Sequence, residues 1–111
     1  MNETAQASGP GSWIEVDGKA RRRILAYTSD MMVVEVEFRD GGFGAMHSHP
    51  HVQSTYVRSG RFEFEIDGTK YEVGTGDSLI MPSNVVHGCR VIEAGTLIDV
   101  FTPARQDFLN A

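Results

Sequence analysis

Apolar and polar residues alternate along much of this 111-residue chain with a period of two. Met32, Val34, Val36 and Phe38 alternate with Val33, Glu35 and Glu37. That period belongs to a strand with one face in a core. Phe62, Phe64 and Ile66 alternate with Arg61, Glu63, Glu65 and Asp67 in the same way, Asp67-Gly68 is a hairpin signal, and Tyr71 and Val73 follow on the return. Shorter strands are predicted over 55–58, 78–81, 85–92 and 96–101, and the β signal starts at Ile24. Asp40-Gly41-Gly42, Ser59-Gly60, Gly74-Thr75-Gly76, Pro82-Ser83-Asn84 and Ala94-Gly95 read as breaks and turns. No helical stripe of useful length precedes the tail. Short strands with turns every roughly 8–12 residues predict an all-β sandwich or barrel.

The ends differ from this pattern. Residues 1–12 are small, polar and contain Gly and Pro, which predicts a mobile arm. Trp13 and Ile14 are expected to pin the arm to the body or to a second subunit, and 13–111 to form a single domain. The run Arg21-Arg22-Arg23 reads as a solvated surface strand or turn, or as part of a subunit interface. Pro103 begins a tail whose Phe108 and Leu109 should dock on the body.

Composition narrows the function. Apolar residues make up 41% and charged residues 23%, ordinary for a globular chain. A net charge of −5 disfavours nucleic acid as a partner. An anionic small molecule stays admissible, because a local basic site can sit in an acidic protein. One cysteine, Cys89, allows no intrachain disulfide. The first residues show no basic and apolar leader pattern, and no apolar run reaches the roughly 18 residues of a membrane helix. A cytoplasmic protein without a membrane partner is the expectation.

The chemistry concentrates in HSHPHVQ, His47 to Gln53. Side chains two apart on an extended backbone point the same way, so His47 and His49 should aim two imidazoles at one point. Imidazole is the commonest protein metal ligand, and an amide oxygen can complete such a set. His87, 38 residues beyond His49, would supply a third imidazole from another strand. His51 follows Pro50, where the strand phase breaks, and is expected behind the ligands or in solvent. Cys89 reads as buried and inert. Tyr27, Met46, Thr55 and Met81 read first as packing residues.

Two spacings carry a family resemblance. Gly41, His47-x-His49, Gln53 and Gly60 resemble the first cupin motif, with Gln53 in place of the usual glutamate. Gly76, Pro82 and His87 resemble the second, with Asn84 where glycine is usual and Val91 where asparagine is often found. The resemblance implies a single-domain cupin, a double-stranded β-helix or jelly roll. It implies one divalent transition metal (Ni, Zn, Fe or Mn) on His47, His49, Gln53 and His87. HSHPHVQ and the tail DVFTPARQDFL are also similar to a narrower group of small cupins from pectin and alginate breakdown. These open 4,5-unsaturated monouronates to linear keto acids. The group's functional pattern falls on Asp99, Phe101 and Arg105, which would be proton shuttle, apolar wall and clamp for the substrate carboxylate. The resemblance thus implies a small anionic sugar-acid substrate and, from the habits of small cupins, a homodimer. Two other functions suit the same ligands: an iron-dependent dioxygenase, and a non-catalytic sugar- or effector-binding module.

Overall fold

The computed structural model describes residue 7 and residues 9–110. The arm expected over 1–12 lies largely outside them, although the Gly11 N–H already donates to the Ile24 carbonyl at 2.7 Å. Eight strands follow: β1 (Ile14–Val16), β2 (Ala20–Tyr27), β3 (Met32–Phe38), β4 (Phe43–His47), β5 (Val52–Ile66), β6 (Thr69–Gly74), β7 (Ser78–Met81) and β8 (His87–Thr102). A four-residue helix, α1 (Gln106–Leu109), ends the described chain.

All pairings are antiparallel, and β5 and β8 are the long central pair. The first half of β5 and the second half of β8 lie between β7 and β3, and the sheet continues through β2 to β1. The second half of β5 and the first half of β8 lie between β6 and β4. Two strands thus serve both layers of a jelly roll. The expectation of chain-reversing turns at Ser59-Gly60 and Ala94-Gly95 is corrected here. Both dipeptides sit inside the long strands, where Ser59 pairs with Thr96 and Arg61 with Glu93 through successive register shifts. Gly60 has φ +87°, and a Cβ there would lie 2.7 Å from the Glu93 carbonyl oxygen. A Cβ on Gly95 would lie 2.1 Å from the Ser59 carbonyl oxygen. Glycine is present because the backbones touch, not because the chain turns back.

The shifts carry β5's inward parity from Gln53, Thr55 and Val57 to Phe62 and Phe64. Two apolar clusters result. Ala20, Phe38, Val57, Phe62, Phe64, Val73 and Leu97 form one, and Met32, Val34, Phe101 and Ala104 the other. Phe108 and Leu109 pack on the second cluster, as the tail reading expected. On the outer face Glu35 is only 5% exposed, because Arg23 and Arg58 both pair with it. The Arg21 and Arg23 guanidiniums stack on Trp13, which fixes the start of the domain against β2.

Candidate metal centre

A cavity of about 260 Å³ opens between the two clusters. Phe38, Phe64 and Leu97 of the first cluster line it, as do Phe101 of the second and Phe108. Its polar lining is His47, Gln53, His87, Asp99, Arg105 and Arg22.

The three histidines reach one point by different local routes. His47 ends β4 opposite His87, the first residue of β8, with ring centroids 4.5 Å apart. His49 lies in the loop after β4, not on an extended strand as the sequence pattern suggested. The Asn84 N–H donates to the His49 carbonyl at 2.8 Å and the Ser83 hydroxyl to the Pro50 carbonyl at 2.6 Å, so the 82–84 turn holds that loop. Asn84 makes the turn with φ +63°, a conformation asparagine tolerates better than most side chains, which is why it can stand at a position where cupins commonly have glycine.

Each ring is oriented by the backbone. The Nδ1 atoms of His47, His49 and His87 lie 2.7, 3.0 and 3.0 Å from the carbonyl oxygens of Ala45, His51 and Val85. A carbonyl only accepts, so each Nδ1 carries a proton, and a ring that is neutral then keeps its Nε2 lone pair for a ligand. Burial, the largest influence on both, holds the pKa values of His49 and His87 below the usual histidine value and favours these neutral rings. One ligand atom from each ring falls within 4.8 Å of the others. The buried His87 Nε2 has no hydrogen-bond partner among the described residues.

Gln53 completes the pattern. The Thr55 hydroxyl donates to Asp99 Oδ1 at 2.6 Å, so its lone pair receives the Gln53 Nε2 amide at 3.0 Å. That order turns Gln53 Oε1 toward His49 Nε2, 3.0 Å away. Two acceptors then face each other with no proton between them. A cation resolves this juxtaposition. Ligand atoms bound at about 2.1 Å and at a right angle lie about 3.0 Å apart, so a divalent transition ion fits.

Asp99 is 8% exposed and Phe101 2%, both inward from β8. Burial pushes the Asp99 carboxyl up to about 6, opposed by the hydrogen bonds from Thr55 and Gln53 and by the charge of Arg105. Arg105 joins them at the cavity, its guanidinium 5.0 Å from the Phe101 ring. Its Nε and Nη2 form a bidentate pair with Asp107 at 3.0 and 2.8 Å. His51 stands behind the cluster, its carbonyl accepting from His49 and its ring 5.5 Å from the His49 ring. Cys89 lines the cavity, and burial pushes its thiol up to about 12. Thr55 and Met81 are fully buried, whereas Tyr27 and Met46 are exposed.

The sequence reading passed over Arg22. It has the inward parity of Ala20, while Arg21 and Arg23 face outward to Glu37 and Glu35. Alternation applied within the arginine run would have singled it out.

This architecture, with imidazoles from β4, the loop after it and β8 gathered inside a jelly roll, is that of a cupin. The chain belongs to the cupin family, matching the Cupin_2 cupin domain over residues 34–101. Among its relatives, it is 40% identical to the pectin degradation protein KdgF of Dickeya dadantii over 99 residues, 87% of this chain and 90% of that protein. The solved KdgF of a Halomonas species matches with TM-score 0.83 at 37% identity, covering 87% of this chain and 92% of that one. An RmlC-like cupin from Shewanella frigidimarina matches with TM-score 0.88 at 34% identity over 97% and 99% of the two chains.

Proposed function

We propose that the protein is a metal-dependent enzyme that opens 4,5-unsaturated monouronates, in the uronate metabolism to which pectin degradation leads. The likeness to KdgF proteins over most of the chain supports the substrate class. The single observation that carries the chemistry is the meeting of potential ligand atoms from His47, His49, Gln53 and His87 beside the buried carboxyl of Asp99. Those four residues would hold a divalent transition ion, which would supply a Lewis acid to steady negative charge on a substrate oxygen.

The chain's own groups divide the remaining tasks. The Asp99 carboxylate takes the proton of the anomeric hydroxyl. The C1 carbonyl forms, the bond from C1 to the ring oxygen breaks, and its electron pair stays on that oxygen as an enolate. The carboxyl then returns the proton to C4, and the enolate becomes a ketone, so the reaction is an isomerisation with nothing gained or lost. Thr55, donating to Asp99 Oδ1, holds the carboxylate in one orientation. Phe101 gives the sugar an apolar wall and keeps water from the enolate. Arg105 adds positive charge at the rim next to the substrate carboxylate. The protein as it acts is expected to be a cytoplasmic homodimer.

The test follows the loss of ultraviolet absorbance from the conjugated double bond of freshly made unsaturated galacturonate. The protein should accelerate that loss over the spontaneous rate, and Asp99→Asn should retain metal while losing at least about 100-fold in rate. A wild-type rate equal to the spontaneous one would overturn the assignment.

A further inference from the structure

Two arginines line the cavity, and they are not equivalent. The Nε–Nη2 edge of Arg105, the edge best shaped to grip a carboxylate, is already taken by Asp107. Arg22 comes from β2, and no acceptor among the described residues hydrogen-bonds its guanidinium. Both cations stack on one ring, Phe108, at 3.9 Å for Arg22 and 4.2 Å for Arg105. Phe108 therefore fixes the position of a guanidinium whose hydrogen-bonding edge is unfilled. Arg22 is also partly buried between Ile14 and Val36, its register partners on β1 and β3. A strand residue of inward parity in that setting is normally apolar. Asp107 attracts Arg22 through space, but burial and the neighbouring charge of Arg105 outweigh that attraction, a cost that an anionic ligand would offset.

From this asymmetry we infer that Arg22 is the residue that grips the substrate's carboxylate through its free guanidinium fork, with Arg105 held back by Asp107 as a flanking charge. The inference rests on the uronate reading and names the specificity determinant within it. Asp99 is the one carboxylate among the residues that line the cavity, so an entering anion meets two guanidiniums and little repulsion. The stack on Phe108 ties the fork to α1 and thereby to Arg105. Carboxylate capture and the placing of Phe101 and Arg105 then share one side chain, Phe108.

The experiment compares the metal-loaded wild type with Arg22→Gln, Arg22→Lys and Arg105→Gln, using unsaturated galacturonate and its methyl ester. Wild type should prefer the acid over the ester in kcat/KM. Arg22→Gln should raise KM for the acid at least tenfold, change kcat less than threefold, leave KM for the ester within twofold, and so abolish the preference. Arg22→Lys, with the charge but not the fork, should fall between. Melting temperature and metal content check that each variant is folded and loaded. A preference that survives Arg22→Gln but vanishes in Arg105→Gln would overturn the inference and return the carboxylate to Arg105. Calorimetric binding of saturated galacturonate and its methyl ester provides a readout that needs no turnover. If wild type binds the acid in preference to the ester and Arg22→Gln does not, the role of Arg22 stands even where the ring-opening assay is negative. If Arg22→Gln keeps the wild-type preference in binding, the role fails even where ring opening is confirmed.

Discussion

Replacing Gly60 with alanine tests the crossing of β5 and β8, on which the position of every cavity residue depends. Two costs add. At φ +87° an alanine pays about 1–2 kcal/mol for a left-handed conformation. Its Cβ would also press on three backbone atoms, the carbonyl oxygens of Glu93 and Ala94 at 2.7 and 2.8 Å and Gly95 Cα at 2.9 Å. None of these is the end of a flexible side chain, so the strands must separate, at roughly 1–3 kcal/mol by analogy with overpacked cores. The sum, about 2–5 kcal/mol, is a large part of the roughly 5–15 kcal/mol that stabilises a domain. Gly76 supplies the control: it has φ +94° and nothing within 4 Å of an added Cβ, so Gly76→Ala should pay only the conformational part. Urea unfolding followed by tryptophan fluorescence measures both, using the single Trp13. Gly60→Ala should lower the midpoint by at least about 1 M at unchanged slope, and Gly76→Ala by about a quarter to two-thirds as much. Equal losses in the two variants would mean that the strands are not in contact at Gly60, and the account of the crossing would be wrong.

Other consequences can be checked separately. His87→Ala should abolish stoichiometric metal uptake, measured on the purified protein, whereas His51→Ala should retain it. In the metal-free protein the Asp99 carboxyl, raised from 3.8 to about 6, is charged at neutral pH at a cost of about 3 kcal/mol. Because the folded pKa lies above the unfolded one, stability is greatest below about pH 4 on this account and is lost as pH rises through about 6; Asp99→Asn should flatten that slope in denaturant titrations and raise stability at pH 7 while removing activity. The Cys89 thiol, raised from 9.0 to about 12, should resist iodoacetamide at pH 8 until the chain is unfolded. It too has a folded pKa above the unfolded one, so stability should fall between about pH 9 and 12, and Cys89→Ala should remove that fall.

The parts of the fold governed by local alternation were readable from the residues. Met32, Val34 and Phe38 on β3, and Phe62 and Phe64 on β5, are buried as their spacing requires. That His47, His49 and His87 gather agrees with the reading, although His49 arrives from a loop and not from the strand face that alternation implied. Ser59-Gly60 and Ala94-Gly95 misled because a glycine dipeptide signals a turn locally, while the strand contact that demands glycine here joins residues more than 30 positions apart. Glu35 was assigned the outer face correctly, but its burial depends on Arg23 and Arg58 arriving from two other strands. The helix α1 is too short to show a period. Arg22 was obscured by its neighbours: three identical residues in a row look like one surface patch until the pleat divides them.

The same division explains how an acidic chain can attract an anion. The net charge of −5 is spread over the outside, where glutamates pair with arginines such as Arg21–Glu37 and Arg90–Glu63. Inside, the proposed ligands bring no negative charge: three imidazoles and, in Gln53, an amide instead of a carboxylate. A glutamate at that position would cancel part of the charge of a bound ion and would stand beside Asp99, across the hydroxyl of Thr55, raising the carboxyl of Asp99 further by like-charge repulsion. The amide avoids both effects. It would leave the positive field of a bound ion and of Arg22 undiminished for a carboxylate ligand, and it leaves Asp99 as the single carboxylate in the cavity lining. Gln53→Glu should therefore still bind a divalent ion but hold an anionic sugar less tightly, a pairing of outcomes that metal analysis and galacturonate calorimetry can separate. If the variant bound galacturonate as tightly as wild type, the neutrality of this position would have no part in recognising the anion.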